Sequence, residues 1–281
     1  MRVLITGASG MLGHDLQRVF ADHDVTALGR SELDITNVAA VRDAVSGHDL
    51  VLNAAAYTKV DDAESNEDAA YAINATGVRT LAVAARDAKA RLVTVSTDYV
   101  FDGNGTAPYA EDAPLDPINA YGRTKAAGEV FALAEYPDGT YVVRTAWLYG
   151  AHGPNFGATM LRLAADRETV SVVNDQLGQP TWTFDLATQI RRLVKSDAPA
   201  GTYHGTSSGS GTWFDLARAV FEDAGLDPER VLPTDSASFV RPAARPAYSV
   251  LGHEAWAKAG IEPIRHWRDA LRAARADGVF G

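Results

Sequence analysis

The sequence predicts an α/β fold, a Rossmann-type doubly wound parallel sheet followed by a smaller α/β region. Short apolar, β-branched runs alternate with segments of helical apolar spacing before residue 150, and the alternation becomes irregular after it. The first run, residues 2–6, enters a glycine-rich turn that opens a helix. We therefore expect a dinucleotide-binding domain at 1–150 and a mainly substrate-binding region at 151–281 that interleaves with it.

The composition excludes several classes of function. A formal net charge of −10 argues against nucleic acid as the main partner. The chain has no cysteine, which excludes disulfides and thiolate chemistry, and its seven histidines show no metal-ligand spacing. No apolar run approaches the ~20 residues of a membrane span, and the chain opens with a strand rather than a basic, apolar leader. We expect a cytoplasmic protein with no membrane partner, and the composition predicts no metal site.

Three glycines after the first predicted strand indicate a dinucleotide site. Gly7 allows the tight turn, Gly10 lets the backbone approach a pyrophosphate, and Gly13 lets the next helix pack close to the strand. The exposed N–H groups and the dipole of that helix then favour the phosphates. The spacing is G-x-x-G-x-x-G rather than G-x-G-x-x-G, so the interpretation depends on the position directly after the strand.

The end of the second predicted strand bears on the choice of cofactor. Residues 25–28 form this strand, and Arg30 follows where an NAD-specific fold usually has an acidic residue. An arginine there suits the 2′-phosphate of NADPH, so NADPH is favoured while NADH stays open. The alternative is that Arg30 is an ordinary exposed loop charge. Asp34 and Ile35 come next and are expected to flank the adenine.

The third predicted strand, residues 50–52, runs into a series of small residues. At Ala55 and Ala56 the backbone could lie against a cofactor, while Tyr57 would pack either near the nicotinamide or over the loop. An acidic stretch follows and complements the N-terminal dipole of a helix predicted from about residue 66 to 87.

A strand-end threonine and a helical Tyr-Lys pair indicate catalysis. Residues 92–95 form a buried strand, which places Thr97 and Asp98 at the carboxyl end, where open α/β sheets bind ligands. Tyr121 and Lys125 are four apart and so share one face of a helix. An ammonium beside a phenol favours the phenolate, which would make Tyr121 a usable acid, and Thr97 could bond the same reacting oxygen. The alternative is a packing tyrosine and a solvated lysine.

The later part of the chain gives weaker signals. Trp147 follows a strand predicted at 141–145, where it would either stack on a sugar ring or fill the core. Arg241 and Arg245 lie in a proline-stiffened stretch and would either clamp a diphosphate or remain exposed loop charges. The remaining predicted elements are strands at 170–173 and 203–204 and helices at 155–167, 183–195 with Thr183 as cap, 212–224 with Thr212 as cap, and 264–275.

These motifs resemble the extended short-chain dehydrogenase/reductase superfamily and, within it, the dTDP-4-dehydrorhamnose reductase family. The resemblance covers nearly the whole chain, and its most specific part is the stretch from residue 173 to 181. The other matching stretches are 7–13, 33–36, 53–58, 96–103, 121–125, 144–147 and 245–246.

The resemblance implies NAD(P)H-dependent reduction of a nucleotide-sugar substrate, the C4 ketone of dTDP-4-dehydro-6-deoxy-L-mannose, to dTDP-L-rhamnose for polysaccharide biosynthesis. It implies that Tyr121 donates the proton to the new alkoxide, and that Lys125 lowers the pKa of Tyr121 and holds the nicotinamide ribose. Thr97 would orient the tyrosine or the ketone, while Asp98 and Trp147 would contact the sugar. The positions that match the family's cofactor contacts are Gly10, Met11, Leu12, Asp34, Ile35, Ala55, Ala56 and Tyr57.

The resemblance leaves magnesium and the oligomeric state open. The family is described with a magnesium ion near a dimer contact, so a homodimer is one expected outcome. No convincing set of carboxylate ligands matches in this sequence, and Asp15 follows the glycine turn where an acidic ligand would be expected.

Other functions of the same superfamily also stay open, among them another nucleotide-sugar reductase. A nucleotide-sugar 4,6-dehydratase carries an Asp-Glu pair after the strand-end threonine, whereas here Asp98 is followed by Tyr99. A 4-epimerase holds NAD tightly and is usually longer. A non-catalytic NADP-binding regulatory subunit is disfavoured by the intact Tyr121, Lys125 and Thr97.

Overall fold

A computed structural model describes residues 1–280 and contains a six-stranded parallel sheet with helices on both faces. The strands are β1 (Arg2–Thr6), β2 (Asp24–Leu28), β3 (Leu50–Asn53), β4 (Arg91–Thr97), β5 (Thr140–Thr145), β6 (Leu148–Tyr149), β7 (Val170–Val173), β8 (Leu177–Gly178), β9 (Thr181–Trp182), β10 (Gly201–His204), β11 (Ser207–Ser208), β12 (Gly211–Thr212), β13 (Val231–Thr234) and β14 (Ile264–His266).

The α-helices lie between these strands in chain order. They are α1 (Met11–Val19), α2 (Val38–Val45), α3 (Val60–Ala63), α4 (Glu67–Tyr71), α5 (Val78–Ala88), α6 (Ala120–Glu135), α7 (Phe156–Asp166), α8 (Thr183–Lys195), α9 (Trp213–Asp223), α10 (Glu254–Lys258) and α11 (Trp267–Ala276). A π-helical segment, Ala72–Gly77, joins α4 to α5, and 3₁₀ turns cover Asp98–Val100 and Pro228–Arg230.

The sheet order β2-β1-β3-β4-β5-β10 is that of a doubly wound fold, which confirms the predicted fold class. The order reverses between β1 and β3, so the connections leave these neighbours on opposite sides and a crevice opens at their carboxyl ends. Thr6 at the end of β1 pairs with Asn53 at the end of β3, and Thr6 Oγ1 donates to Asn53 Oδ1 at 2.7 Å. This edge of the sheet is therefore the place to look for a ligand site.

Two hydrophobic cores hold the helices on the two faces of the sheet. Successive residues of a strand point to opposite faces, so Leu4 and Ile5 of β1 serve different cores. The core with Ile5 contains Leu16 of α1 and Ile190 of α8. The core with Leu4 contains Val41 of α2. Burial on both sides explains why these strands read as continuous apolar runs in the sequence.

The smaller region has a hydrophobic core of its own. Helices α7, α9 and α11 and the parallel pair of β7 and β13 surround it, with Met160, Phe221 and Trp267 among its buried residues. Thr212 caps α9 as predicted, in a capping box with Asp215. Two elements beyond residue 150 nevertheless belong to the large sheet, since α8 packs beside α1 and β10 pairs with β5.

The helix predicted from residue 66 to 87 is interrupted by the π-helical segment. There the backbone comes close to α6, because a Cβ added to Gly128 would lie 2.1 Å from the Asn74 carbonyl oxygen. The segment turns the Asn74 side chain toward the loop after β3, where it bonds the backbone of Tyr57. π-Helical insertions of this kind are frequent at functional sites.

Two predicted helix starts were wrong. Thr183 is the first residue of α8 rather than its cap, and its hydroxyl donates to Asp15 Oδ2 at 2.5 Å. The last helix begins at Trp267, because residues 264–266 form a strand that pairs with β11. Several elements were not predicted, namely helices α2, α3 and α10 and strands β6, β8, β9, β11, β12 and β13. Among residues 1–280, no helix has both the length and the apolar character needed to cross a bilayer.

Candidate active site

A cleft of about 1050 Å³ opens at the carboxyl edge of the sheet, where β1 and β3 diverge. Its size is at the upper end of ligand pockets, as a dinucleotide together with a second ligand would require. Every residue predicted from the sequence to bind cofactor or substrate lines this cleft except Tyr57 and the two arginines offered as a diphosphate clamp, Arg241 and Arg245. The lining includes Gly7, Gly10, Met11, Leu12, Gly13, Arg30, Asp34, Ile35, Ala55, Ala56, Thr97, Asp98, Tyr121, Lys125 and Trp147.

The glycine turn at one end of the cleft fits a dinucleotide pyrophosphate. Gly7 has φ +69°, and a Cβ there would lie 2.5 Å from the backbone nitrogen of Ala55. A Cβ on Gly13 would lie 2.4 Å from the Gly7 carbonyl oxygen. Gly10 caps α1 without a side chain, so the first N–H groups of the helix lie at the cleft wall with no side-chain cap. Such a helix start is a suitable phosphate site.

Arg30 and Asp34 lie on the same wall of the cleft, after β2. Asp34 Oδ1 accepts hydrogen bonds from the Thr36 backbone nitrogen at 2.9 Å and its hydroxyl at 2.7 Å. These bonds hold the pKa of Asp34 below its usual value. The carboxylate is thus engaged within its own turn, whereas the Arg30 side chain is exposed at the cleft. Ile35 is buried, close to Gly77 of the π-helical segment.

The structure does not bring Tyr57 into the cleft lining. Its hydroxyl donates to Asp62 in a short hydrogen bond that raises the pKa of Tyr57. Asn74 holds its backbone on both sides, since Tyr57 N donates to Asn74 Oδ1 at 2.8 Å and Asn74 Nδ2 donates to Tyr57 O at 3.1 Å. Tyr57 therefore covers the loop, which was one of the two readings that the sequence left open.

The predicted catalytic groups meet at the end of β4. Asn119 caps α6, accepting from Gly122 N at 2.8 Å, so that Tyr121 lies in the first turn of the helix at the cleft. Lys125 follows one turn later and is 4% exposed, and its Nζ donates to the Val95 carbonyl oxygen at 2.6 Å. Thr97 completes the group, since its hydroxyl supports the ionised form of Tyr121. The site therefore presents a phenol, an ammonium and a hydroxyl to one end of the cleft.

The predicted lowering of the pKa of Tyr121 by Lys125 is not found. The protein around the phenol raises its pKa by desolvation and the negative charge of Asp98 adds to this, while the Thr97 hydroxyl opposes both. The physical reason is that Lys125 is engaged by the Val95 carbonyl and is itself desolvated, which lowers the pKa of Lys125 to about 8. At neutral pH the phenol is therefore protonated, the form that donates a proton.

Asp98 is a buried carboxyl group that faces the cleft. It is 2% exposed, and burial raises its pKa to about 6, although hydroxyl groups of Ser249 and Thr97 lower it in part. Thr97 Oγ1 donates to its Oδ1 at 2.9 Å. Its Oδ2 makes no hydrogen bond of ordinary geometry within residues 1–280. A sugar hydroxyl reaching this atom would gain a buried hydrogen-bond partner.

Trp147 forms the opposite wall with Trp213, a residue that the sequence analysis missed. Their rings stack with centroids 3.7 Å apart and planes at 9°. Trp147 has φ +46°, an uncommon value for a bulky residue, and Gly178 leaves room for its ring because a Cβ there would lie 2.6 Å from it. The only signal for Trp213 was its position after the Thr212 cap, where a side chain at a helix start can face a ligand.

Arg241 and Arg245 do not line the cleft. Arg245 Nη2 lies 3.0 Å from Asp61 Oδ1, and Arg241 Nη1 lies 3.8 Å from Asp61 Oδ2. Asp61 also accepts from Ala243 N at 3.2 Å. The two arginines thus join the loop between β13 and α10 to α3 rather than extending freely into solvent.

The residues present do not fit the magnesium site that the resemblance left open. Asp15 accepts a hydrogen bond from Thr183, and burial raises the pKa of Asp15. Within residues 1–280, no three histidine, aspartate or glutamate side chains come together as metal ligands.

The chain is similar to known proteins over nearly its whole length. The family model described as RmlD substrate binding domain matches residues 1–278. A dTDP-4-dehydrorhamnose reductase of Streptomyces griseus is 54% identical over 278 residues, covering 96% of this chain and 91% of that protein. A dTDP-4-keto-6-deoxy-D-glucose reductase of Streptomyces niveus is 52% identical, covering 97% and 96%. The crystal structure of dTDP-4-dehydrorhamnose reductase from Bacillus anthracis in complex with NADP is 40% identical, with a TM-score of 0.93, covering 98% and 99%.

Proposed function

This chain belongs to the RmlD substrate binding domain family, and from that premise we propose that it is an NADPH-dependent reductase of a dTDP-4-keto-6-deoxy sugar. The substrate supported best is dTDP-4-dehydrorhamnose, with dTDP-L-rhamnose as product. The observation that carries the proposal is the meeting of Tyr121, Lys125 and Thr97 in a cleft that begins at the glycine turn.

The chemistry needs a proton donor, a fixed positive charge and a dry, shaped cleft. When bound, NADPH supplies the hydride that reduces the sugar C4 ketone. Tyr121 donates its proton to the developing alkoxide, because its raised pKa keeps the phenol protonated until that stronger base forms. The Lys125 ammonium holds positive charge beside the alkoxide, and the Thr97 hydroxyl orients the phenol. Asp98 and the Trp147 ring hold the sugar.

The preference for NADPH is proposed to depend on Arg30. NADP in the Bacillus anthracis structure and the exposed guanidinium at the cleft both support this choice over NADH. Arg30→Ala should raise the KM for NADPH by about 10- to 100-fold, since hydrogen bonds to charged groups contribute ~1.5–3 kcal/mol. The KM for NADH should change little. Arg42→Ala, an exposed arginine of α2 outside the cleft, is the matched control. Equal losses with both cofactors would contradict the assignment.

A second candidate substrate is dTDP-4-keto-6-deoxy-D-glucose, supported by the relative from Streptomyces niveus. Both sugars carry the same ketone, so the same phenol would protonate either alkoxide. The wall formed by Trp147 and Trp213 would distinguish them by the positions of the ring substituents. Dehydration has less support, because Tyr99 stands where a dehydratase carries glutamate.

Turnover assays with defined substrates test the proposal. The protein is mixed with NADPH and either 4-keto sugar nucleotide, oxidation is followed at the nicotinamide absorbance, and the product is identified by NMR. We expect turnover with dTDP-4-dehydrorhamnose and a product with the rhamnose configuration. Faster turnover of the D-glucose derivative would support the second candidate. Tight NADPH binding with no turnover of either sugar would contradict the proposal. It would support the alternative function, a non-catalytic NADP-binding regulatory subunit.

Three properties of the protein remain predictions from the sequence. They are the division into a dinucleotide-binding part at 1–150 and a mainly substrate-binding part at 151–281, a homodimer, and a cytoplasmic location. The first is supported by the separate core of the smaller region, although α8 and β10 join the large sheet.

A further inference from the structure

A column of three titratable side chains runs along one face of α6. Tyr121, Lys125 and Glu129 are spaced four apart, so each lies one helical turn from the next. Tyr121 and Lys125 line the cleft, whereas Glu129 lies below it and is 3% exposed. Nothing in the proposed chemistry uses Glu129 directly, yet it is the carboxylate on this face nearest in sequence to the catalytic lysine.

Glu129 is held in place by a bidentate ion pair with Arg144 of β5. Arg144 Nε lies 3.1 Å from both carboxylate oxygens, and Arg144 Nη2 lies 2.7 Å from Oε2. Arg144 Nη1 donates onward to the Glu111 carbonyl oxygen at 3.0 Å. Next to it, His204 is kept neutral, since burial and Arg144 lower its pKa to about 3. The carboxylate therefore has a fixed position and cannot swing toward Lys125.

Among residues 1–280, the direct hydrogen-bond partner of Lys125 is a neutral group, the Val95 carbonyl. Burial of an ammonium favours loss of its proton, whereas a hydrogen bond to a carbonyl and a nearby negative charge both oppose that loss. The Val95 carbonyl supplies the first of these, and Glu129 supplies the negative charge. The other titratable or charged groups beside this column include Tyr121 of the same helix, Asp98 and Tyr99 after β4, Arg144 of β5, and His204 of β10 with its neighbour His253. Arg123 and Glu135 of the same helix pair instead with Glu67 of α4 and Arg79 of α5.

We infer that Glu129 is a positioning residue for the lysine: its buried carboxylate keeps Lys125 charged in the cleft, and Arg144 fixes the strength of that effect by sharing the carboxylate. The inference deepens the proposed function, on which it rests, because it assigns how the catalytic lysine retains its proton. A charged Lys125 is the form that stabilises an alkoxide.

A purely structural role for the pair makes a different prediction. A buried ion pair that only supports the fold would affect stability and the overall rate, and would leave the pH dependence of that rate where it is. The pH at which activity falls on the alkaline side reports the proton on Lys125, because the neutral amine is inactive. The position of this alkaline limb is therefore the readout that separates the two roles.

Glu129→Gln and Glu129→Asp form the matched pair for the test. Gln keeps the size and removes the charge, whereas Asp keeps the charge and shortens the reach to Arg144. We expect Glu129→Gln to move the alkaline limb of kcat, and of NADPH affinity measured by cofactor fluorescence, to lower pH by about one unit or more. Glu129→Asp should leave the limb near its wild-type position even where it lowers the rate. Limbs unmoved in both variants, or moved equally in both, would overturn the inference.

Arg144→Met covers the case in which Glu129→Gln does not fold. It frees the carboxylate from its partner, so Lys125 should hold its proton more strongly and the limb should move to higher pH. A limb that stays in place or moves down would overturn the inference. Cofactor affinity is read without any sugar, so an inactive wild-type protein that still binds NADPH would count against the proposed function and not against Glu129.

Discussion

The two halves of the cleft are built in different ways. The half that we propose to hold the cofactor, called the cofactor half, consists of the glycine turn, the segment from Arg30 to Ile35 and the alanines after β3, and it is shaped by backbone atoms of neighbouring parallel strands. The half that we propose to hold the sugar, called the sugar half, consists of Asp98, Trp147 and Trp213, and it is shaped by side chains from segments far apart in the chain. The first half is fixed by the sheet, whereas the second depends on how the smaller region packs.

This difference determines which substitutions each half tolerates. A backbone-built wall fails when a Cβ is added, because the opposing backbone cannot move aside. A wall built from stacked rings loses affinity by degrees when one ring is replaced. Tyr121 lies between the halves, so its substitution should affect the chemistry and leave both walls intact.

The largest effect is expected from Tyr121→Phe. This variant tests whether the phenol acts in the chemistry without contributing to the binding of either ligand. It should lower kcat by ~10²-fold or more, because it removes the general acid. The Kd for NADPH and the KM for the sugar nucleotide should stay within a few-fold of wild type. Steady-state assays and a fluorescence titration provide these values. A wild-type rate would contradict the catalytic assignment.

Gly7→Ala should break the cofactor half, and Gly225→Ala is its matched control. Both glycines have nearly the same backbone angle, φ +69° and φ +71°, but a Cβ on Gly7 would lie 2.5 Å from backbone. A Cβ on Gly225 would meet no atom within 4 Å in residues 1–280 beyond its immediate chain neighbours. Both variants pay the ~1–2 kcal/mol of left-handed backbone. Gly7→Ala should lose a further ~1–3 kcal/mol of stability for the forced shift, and NADPH binding with it.

Equal unfolding midpoints for the two glycine variants in urea would show that close approach at the turn is unimportant. The same result, with NADPH affinity preserved in Gly7→Ala, would contradict the description of this wall as backbone-built.

Asp98 gives the sugar half a pH dependence of its own. Its pKa in the folded protein, about 6, lies above its ordinary value of 3.8, so the folded state favours the protonated acid. The stabilising effect is complete below about pH 4 and is lost as pH rises through 6, by roughly 1–3 kcal/mol. Asp98→Asn cannot ionise, so its stability relative to wild type should rise over that window. Thermal unfolding at pH 4 and pH 7 measures the difference, and parallel curves would contradict the buried-acid description.

The smallest effect is expected from Trp213→Leu, which removes the ring that stacks on Trp147. Stacked aromatic pairs contribute ~0.5–1.5 kcal/mol, so the KM for the sugar nucleotide should rise by about 2- to 12-fold. NADPH affinity should not change. Phe214→Leu, at the next position of α9 and outside the cleft lining, is the control. A change in NADPH affinity with no change in the KM for the sugar nucleotide would contradict the assignment of Trp213 to the sugar half.

The same contrast explains what could be read from the sequence. Glycine spacing, strand ends and a pair of residues four apart are local patterns. They predicted the glycine turn, Thr97, Tyr121 and Lys125 as cleft residues. Trp213 could not be found this way, because its stacking on Trp147 depends on the packing of α9 against a distant strand end.

Charges were predicted less well than positions. Helical spacing correctly put Lys125 one turn from Tyr121, but spacing does not show that Nζ turns to the Val95 carbonyl or that burial governs both pKa values. The Tyr57 side chain was likewise drawn out of the cleft by Asp62, a partner that the local pattern did not indicate. Short-range periodicity predicts the backbone position from which a side chain extends. The contacts that the side chain then makes depend on tertiary partners, which the local pattern does not contain.

The central claim is that the Tyr121 phenol faces a reduced nicotinamide whose pyrophosphate lies on the first glycine turn. A crystal structure with NADPH and dTDP-L-rhamnose tests it most directly. We expect the pyrophosphate at Gly10, and the Tyr121 Oη atom within ~3.5 Å of the sugar O4 with the nicotinamide ring on the other side of C4. A dinucleotide bound elsewhere, or a sugar whose O4 lies away from the phenol, would contradict the claim.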